Sequence, residues 1–194
     1  MPLILRRAIA ADAAEVAEVY LRSRNTLASY APLAHSEAAV RDWVANIIVP
    51  SGNVTIAVND QRIVGMAAHV IADGVAWLDQ LYVCPEFKRR GIGSSLLESV
   101  KSQTVGRLQL HTFQMNRDAA AFYERHGFVA IAYSDGSRNE EGCPDVLYCL
   151  CGSARSRGSH HLSCPSTARW KDCSESETMR AFVGIRPGAV VRAT

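Results

Sequence analysis

Pro85–Val100 reads PEFKRRGIGSSLLESV: three consecutive cations, two glycines, then at once a helical pattern. Two readings compete, a basic patch or a turn built to hold phosphate. The apolar run before it ends at Val83. The residues after it place Ile92, Leu96, Leu97 and Val100 on one face of a helix starting near Gly91. A strand–turn–helix of this kind points the free N–H groups of a helix N-terminus outward, where the helix dipole adds positive potential. Gly91 and Gly93 lack side chains, so an anion can approach the main chain, and Lys88, Arg89 and Arg90 add charge. No Gly-Lys-Ser/Thr follows, so this is not a Walker loop, and the spacing is not that of a dinucleotide fingerprint.

Working outward, "LILRRAI" reads as a first strand and "ADAAEVAEVYLRSRNTLASY" as a helix, with Asp12 and Glu15 favouring its N-terminal end. Ser36 can cap a second helix, "EAAVRDWVANII", whose apolar stripe makes Trp43 a core residue. "NVTIAV", "RIVGMAAHVI" and "VAWLDQLYV" are three runs joined by short turns at Asn59–Asp60 and Asp73–Gly74, a pattern that predicts an antiparallel meander. "RLQLHTF" is a strand, "NRDAAAFYERHG" a helix ended by Gly127, and "FVAIAYS" and "DVLYCL" two further strands around the polar loop "DGSRNEEGCP". Strand, helix and strand across 76–113 form a crossover unit, so those two strands should be parallel with a right-handed connection.

The chain has 194 residues and a net charge of +2. Residues 1–151 hold 14 Lys and Arg against 16 Asp and Glu, whereas residues 152–194 hold 7 against 3. The body is therefore mildly acidic, which speaks against nucleic-acid binding. No stretch resembles a signal peptide and no apolar run nears the roughly 20 residues of a membrane span, so the protein is expected to be cytoplasmic with no membrane partner. The six cysteines do not form a secreted disulfide framework and read as free thiols. The Ser- and Arg-rich tail 152–194 has no sustained period and is expected to be poorly ordered. Its His160, His161, Cys164 and Cys173 match no zinc-ligand spacing, so no metal is expected.

Two segments carry a family resemblance. "LDQLYVCPEFKRRGIGSSLL" resembles the acetyl-CoA-binding motif of the GCN5-related N-acetyltransferases (GNAT), the Gln/Arg-x-x-Gly-x-Gly/Ala turn, with Lys88 where the family usually has Gln or Arg. "NRDAAAFYERHGF" is similar to the family's Asn-x-x-Ala-x-x-Phe-Tyr-Glu pattern followed by Gly-Phe, and the two occur in the family's order. The resemblance covers about residues 3–150. It implies the GNAT fold of the α/β class: a mixed, mostly antiparallel sheet of six to seven strands, about four flanking helices and a splayed parallel strand pair. Residues 1–151 would be the N-acetyltransferase domain and 152–194 an appended tail.

The resemblance also implies roles. The N–H groups of Lys88, Arg89, Arg90, Gly91, Ile92, Gly93 and Ser94 would hold the pyrophosphate of acetyl-CoA. The main chain of Leu81, Tyr82 and Val83 would offer a strand edge to the pantetheine arm and an N–H to the acetyl oxygen. Asn116 would hydrogen-bond the cofactor, and Tyr123, two helical turns further on, would be the general acid. For the base that must deprotonate an amine, His111 and Asp79 on the slot-lining strands are both candidates. Acceptor recognition is expected from the loops that hold Tyr30, His35, Asp135, Arg138 and Glu140, with Glu140 and Asp145 attracting a cationic amine. The acceptor would be a small amine, an amino-acid derivative or a protein N-terminus, and a homodimer is compatible with this reading. The rival function is a catalytically degenerate acyl-CoA sensor or interaction module.

Overall fold

The computed structural model describes residues 2–151; the expectations for the tail, including its cysteines and histidines, lie outside the described residues. Seven strands form one sheet in the order β1-β2-β3-β4-β5-β7-β6: β1 Ile4–Arg7, β2 Val54–Asn59, β3 Arg62–Ala72, β4 Val75–Val83, β5 Leu108–Phe113, β6 Val129–Ser134 and β7 Asp145–Leu150. Four α-helices flank it: α1 Ala13–Asn25, α2 Glu37–Trp43, α3 Ile92–Gln103 and α4 Arg117–Arg125. This is the expected GNAT arrangement, with every strand pairing antiparallel except β4 with β5. None of these helices is long and apolar enough to cross a membrane.

Strand alternation explains the three layers. On β2 and β3, Ile56 and Met66 point to one face and meet Val16, Val19, Val40 and Trp43 of α1 and α2. Their neighbours Ala57 and Ala67 point to the other face and meet Leu96, Leu97 and Val100 of α3. Small residues on that face let α3 lie close to the sheet. A Cβ built on Gly65 would sit 3.0 Å from the Leu96 side chain. Ser36 caps α2 as expected, its hydroxyl accepting from the Ala39 N–H at 3.3 Å. The expected single helix through Ile48 changes character midway: α2 ends at Trp43 and a π-helical turn runs Val44–Ile48.

Two irregularities in β4 make the site. The parallel pairing with β5 consists of Ala76 opposite Leu108 and Trp77 opposite Gln109, after which the strands part. On the other edge, Ala68 of β3 pairs with Gln80 and His69 with Leu78, so Asp79 is an extra residue, a β-bulge. The bulge bends β4 where it leaves β5. From Leu78 to Val83 that edge of β4 has no strand partner.

Candidate active site

The gap between β4 and β5 is the floor of a cavity of about 520 Å³. Asp79, Leu81, Tyr82, His111, Asn116 and Tyr123 all line it. Residues 44 positions apart in sequence, from Asp79 to Tyr123, thus share one space. The Cys84 N–H bonds to Val64 of β3 at 2.9 Å, so by the two-residue alternation of a strand the main-chain groups of Tyr82 face β3 and those of Leu81 and Val83 face the open gap. The Ser23 hydroxyl of α1 donates to the Val83 carbonyl at 3.1 Å, so that carbonyl already has a donor.

Beside the end of β4 stands the N-terminus of α3, where a Cβ on Gly93 would lie 3.8 Å from the Val83 side chain. The Lys88 N–H donates to the Pro85 carbonyl at 3.3 Å, and the first helical bond is Ser95 N–H to Gly91 O at 3.0 Å. Between them, the N–H groups of Arg89, Arg90, Gly91, Ile92, Gly93 and Ser94 donate to no acceptor among the described residues. Arg89 (φ 62°) and Gly91 (φ 81°) both adopt left-handed backbone, which gathers successive N–H groups toward one side as an anion nest. Arg90 lies over the Phe87 ring, its guanidinium carbon 5.1 Å from the centroid.

Acid and base candidates occupy different environments. Tyr123 is 8% exposed, packed edge-on against Phe122 and Phe128 and beside Tyr148. Burial pushes its phenol well above the ordinary value, so it holds its proton. Asn116 caps α4, its Oδ1 accepting from the Ala119 N–H at 3.2 Å, and its side-chain NH₂ has no acceptor among the described residues. Burial pushes the Asp79 carboxyl up to about 6, although Gln80 donates to it at 3.3 Å. His111 stacks on Trp77 with centroids 5.8 Å apart and planes 4° from parallel. Its Nδ1 lies 3.7 Å from Asp145 Oδ1.

The raised Asp79 value has a stability consequence. The folded state favours the protonated carboxyl, so its contribution is full below the unfolded value near 4 and is lost as pH rises through about 6. Asp79→Asn is therefore expected to stabilise the protein by about 2 kcal/mol at pH 8 and by nothing measurable near pH 4. Urea melts at the two pH values check this; equal stability of the two proteins at pH 8 would contradict it.

The acceptor side departs from expectation. Tyr30, His35, Asp135, Arg138 and Glu140 do not line the cavity. His35 and Glu140 instead pair with each other at 2.8 Å and tie the loop after α1 to the β6–β7 loop, while Asp135 caps the Ser137 N–H at 2.9 Å. Asp145 does line the cavity, but it sits beneath His111 and accepts from Asn139 Nδ2 at 2.9 Å. Burial raises its carboxyl, but the His111 side chain and then the Asn139 side chain outweigh that and hold it below the usual range.

Sequence reasoning missed Arg24, Glu141, Asn139 and Trp77, all of which line the cavity. Arg24 is 2% exposed, paired to Glu141 at 2.9 Å and stacked over Phe113 at 5.2 Å. A signal for it existed: Val16, Tyr20 and Arg24 recur every four residues on the inward face of α1. Cys84 is 2% exposed and burial pushes its thiol up.

Residues 50–130 match the acetyltransferase (GNAT) domain family. A stretch of 86 residues is 35% identical to N-alpha-acetyltransferase 60 of Xenopus tropicalis, covering 38% of this chain and 36% of that protein. The chain thus matches about a third of the length of this curated relative. Among solved structures, a GNAT-family acetyltransferase from Bacillus cereus superposes with a TM-score of 0.63 at 17% identity, over 78% of this chain and 98% of the other. The PaiA N-acetyltransferase of Thermoplasma acidophilum, solved with coenzyme A, gives 0.59 at 22% identity over 78% and 100%. The ribosomal-protein-S18-alanine N-acetyltransferase of Escherichia coli gives 0.59 at 17% identity over 82% and 100%. At these identities the structural matches establish the shared fold.

Proposed function

Because this chain belongs to the GNAT superfamily, we propose that it moves the acetyl group of acetyl-CoA to a primary amine by direct attack in a ternary complex. Three observations carry the reading: six N–H groups at the start of α3 with no acceptor among the described residues, the open edge of β4 beside them at Val83, and a buried, protonated tyrosine lining the cavity. The residues fit the cofactor. Gly93 has ordinary backbone and a Cβ there would meet the Phe122 ring at 3.5 Å and the Val83 side chain at 3.8 Å, both ordinary contacts, so the protein's own packing does not demand glycine. The bare main chain there leaves room for a pyrophosphate to approach the N–H groups.

Acetyl-CoA supplies an activated thioester carbonyl and a thiolate leaving group. The Arg89–Ser94 N–H groups hold the pyrophosphate, and the side chains of Lys88, Arg89 and Arg90 add positive potential. Leu81 and Val83 bind the pantetheine amides as a neighbouring strand would, and an N–H on this edge donates to the acetyl oxygen as negative charge develops. The free NH₂ of Asn116 donates to the cofactor. Tyr123 gives its hydroxyl proton to the departing sulfur.

Asp79 or His111 takes the proton from the attacking ammonium, directly or through water. A carboxyl titrating near 6 accepts a proton more readily than an ordinary aspartate. Cys84 does not serve as an acyl carrier, since its thiol is buried and held protonated. Asp79 and Asp145 at the cavity, with Glu141 already paired to Arg24, favour a cationic amine as the acceptor. The name of the frog relative favours the α-amino group of a protein N-terminus within that class.

A thiol-release assay with acetyl-CoA against N-terminal peptides, amino-acid amides and small amines tests the proposal. Turnover on the peptides is expected. Cofactor binding with no turnover on any amine would make the protein an acyl-CoA sensor, and no binding at all would refute both readings.

A further inference from the structure

Outside the reacting groups, a hydrogen-bonded relay joins the end of α4 to the start of α3. His126 Nδ1 lies 2.8 Å from the Phe122 carbonyl, and its Nε2 lies 3.0 Å from the Ser94 hydroxyl. A carbonyl only accepts, so Nδ1 carries a hydrogen in every protonation state of the ring. The neutral imidazole therefore presents a lone pair at Nε2, and the Ser94 hydroxyl must spend its single hydrogen on it. What Ser94 Oγ then offers its surroundings is lone pairs alone, at the same residue whose N–H is one of the six free donors. When the ring is protonated, Nε2–H donates to Ser94 Oγ and the hydroxyl hydrogen is released to point elsewhere.

From this geometry we infer that His126 is a positioning residue whose protonation turns Ser94 from a group that repels the cofactor's pyrophosphate into one that donates to it, so that cofactor binding takes up a proton. The inference rests on the proposed cofactor site. An anion at the α3 N-terminus favours the imidazolium twice, through the released hydroxyl and by direct attraction.

The charges facing His126 from neighbouring elements nearly cancel. On α3, Lys101 lies 3.4 Å from the His126 carbonyl and is paired with Glu98 at 2.8 Å. On its own helix, Glu124 accepts from the Tyr148 hydroxyl of β7 at 2.9 Å and Arg125 adds a positive charge. The Phe122 ring covers one side of the imidazole at 4.4 Å between centroids. The anion is thus the large change in local charge on binding. Histidine titrates in the range where this matters, and the sign is fixed: affinity rises as pH falls.

The test is calorimetry of the full chain with dephospho-CoA, at pH 6 and pH 8, in two non-phosphate buffers of different ionisation enthalpy. Dephospho-CoA keeps the pyrophosphate charge constant between these values and lacks the 3′-phosphate that would itself titrate. The expected result is proton uptake on binding and an affinity about tenfold higher at pH 6 than at pH 8. Ser94→Ala, which leaves the imidazole in place and removes the relay, should reduce both effects, and His126→Asn should remove them. Binding by the natural chain with equal affinity at both pH values and no proton uptake would overturn the inference while leaving the cofactor site intact. Uptake undiminished in His126→Asn would assign the proton to another group and also overturn it. Absence of dephospho-CoA and CoA binding at either pH would refute the cofactor site itself and the inference with it.

Discussion

Tyr123→Phe is expected to lower kcat by about 10²-fold or more with little change in cofactor affinity or melting temperature. The stability half of this expectation follows from packing. The ring contributes through edge contacts with Phe122 and Phe128 and through its place beside Tyr148, all of which phenylalanine keeps. The hydroxyl has no protein partner and touches the cavity, so removing it orphans nothing. The catalytic half follows from the phenol's place in the cavity: burial keeps it protonated, so it can donate to the sulfur as negative charge develops there. Single-turnover rates with saturating acetyl-CoA and thermal melts of the variant separate the two halves. A variant with full kcat would remove Tyr123 as the acid.

The second large effect concerns the glycines. Gly93→Val is expected to weaken CoA binding by about 10²-fold, while Arg89→Ala or Arg90→Ala weakens it by about fivefold or less. The two glycines should differ in stability. At Gly93 the backbone is ordinary and the Phe122 ring gives a new Cβ an ordinary contact, so folding should be nearly unaffected. At Gly91 a Cβ meets nothing within 4 Å, but φ of 81° is left-handed, so Gly91→Val should also destabilise by about 1–2 kcal/mol. Calorimetric CoA titrations with paired urea melts read both quantities. Equal losses from the glycine and arginine variants would mean that side-chain charge, not the main-chain cradle, holds the cofactor.

Much of this site could be read along the chain because its parts are local. The turn from Lys88 to Ser94 is a strand end, two glycines and a helix start, and each leaves a mark in contiguous sequence. The same holds for Asn116 and Tyr123, which share a helix and hence a fixed spacing. The strand and helix order was legible for the same reason, since each element carries its own hydrophobic period.

What the tertiary structure alone decided is how distant segments meet. The bulge that makes Asp79 an extra residue is a mismatch between β3 and β4, and neither strand shows it alone. The acceptor-side loop residues lie outside the cavity lining, because polarity in a loop marks exposure and cannot say which side chains find one another. His35 and Glu140, 105 positions apart, pair with each other away from the cavity, whereas Arg24 and Glu141 pair in its lining. The His126–Ser94 relay likewise joins residues 32 positions apart on two helices. By itself the sequence determined the elements and the phosphate-type turn, which arise from local backbone preferences. Packing decided the charges around the cavity, because ion pairing and burial depend on three-dimensional neighbours.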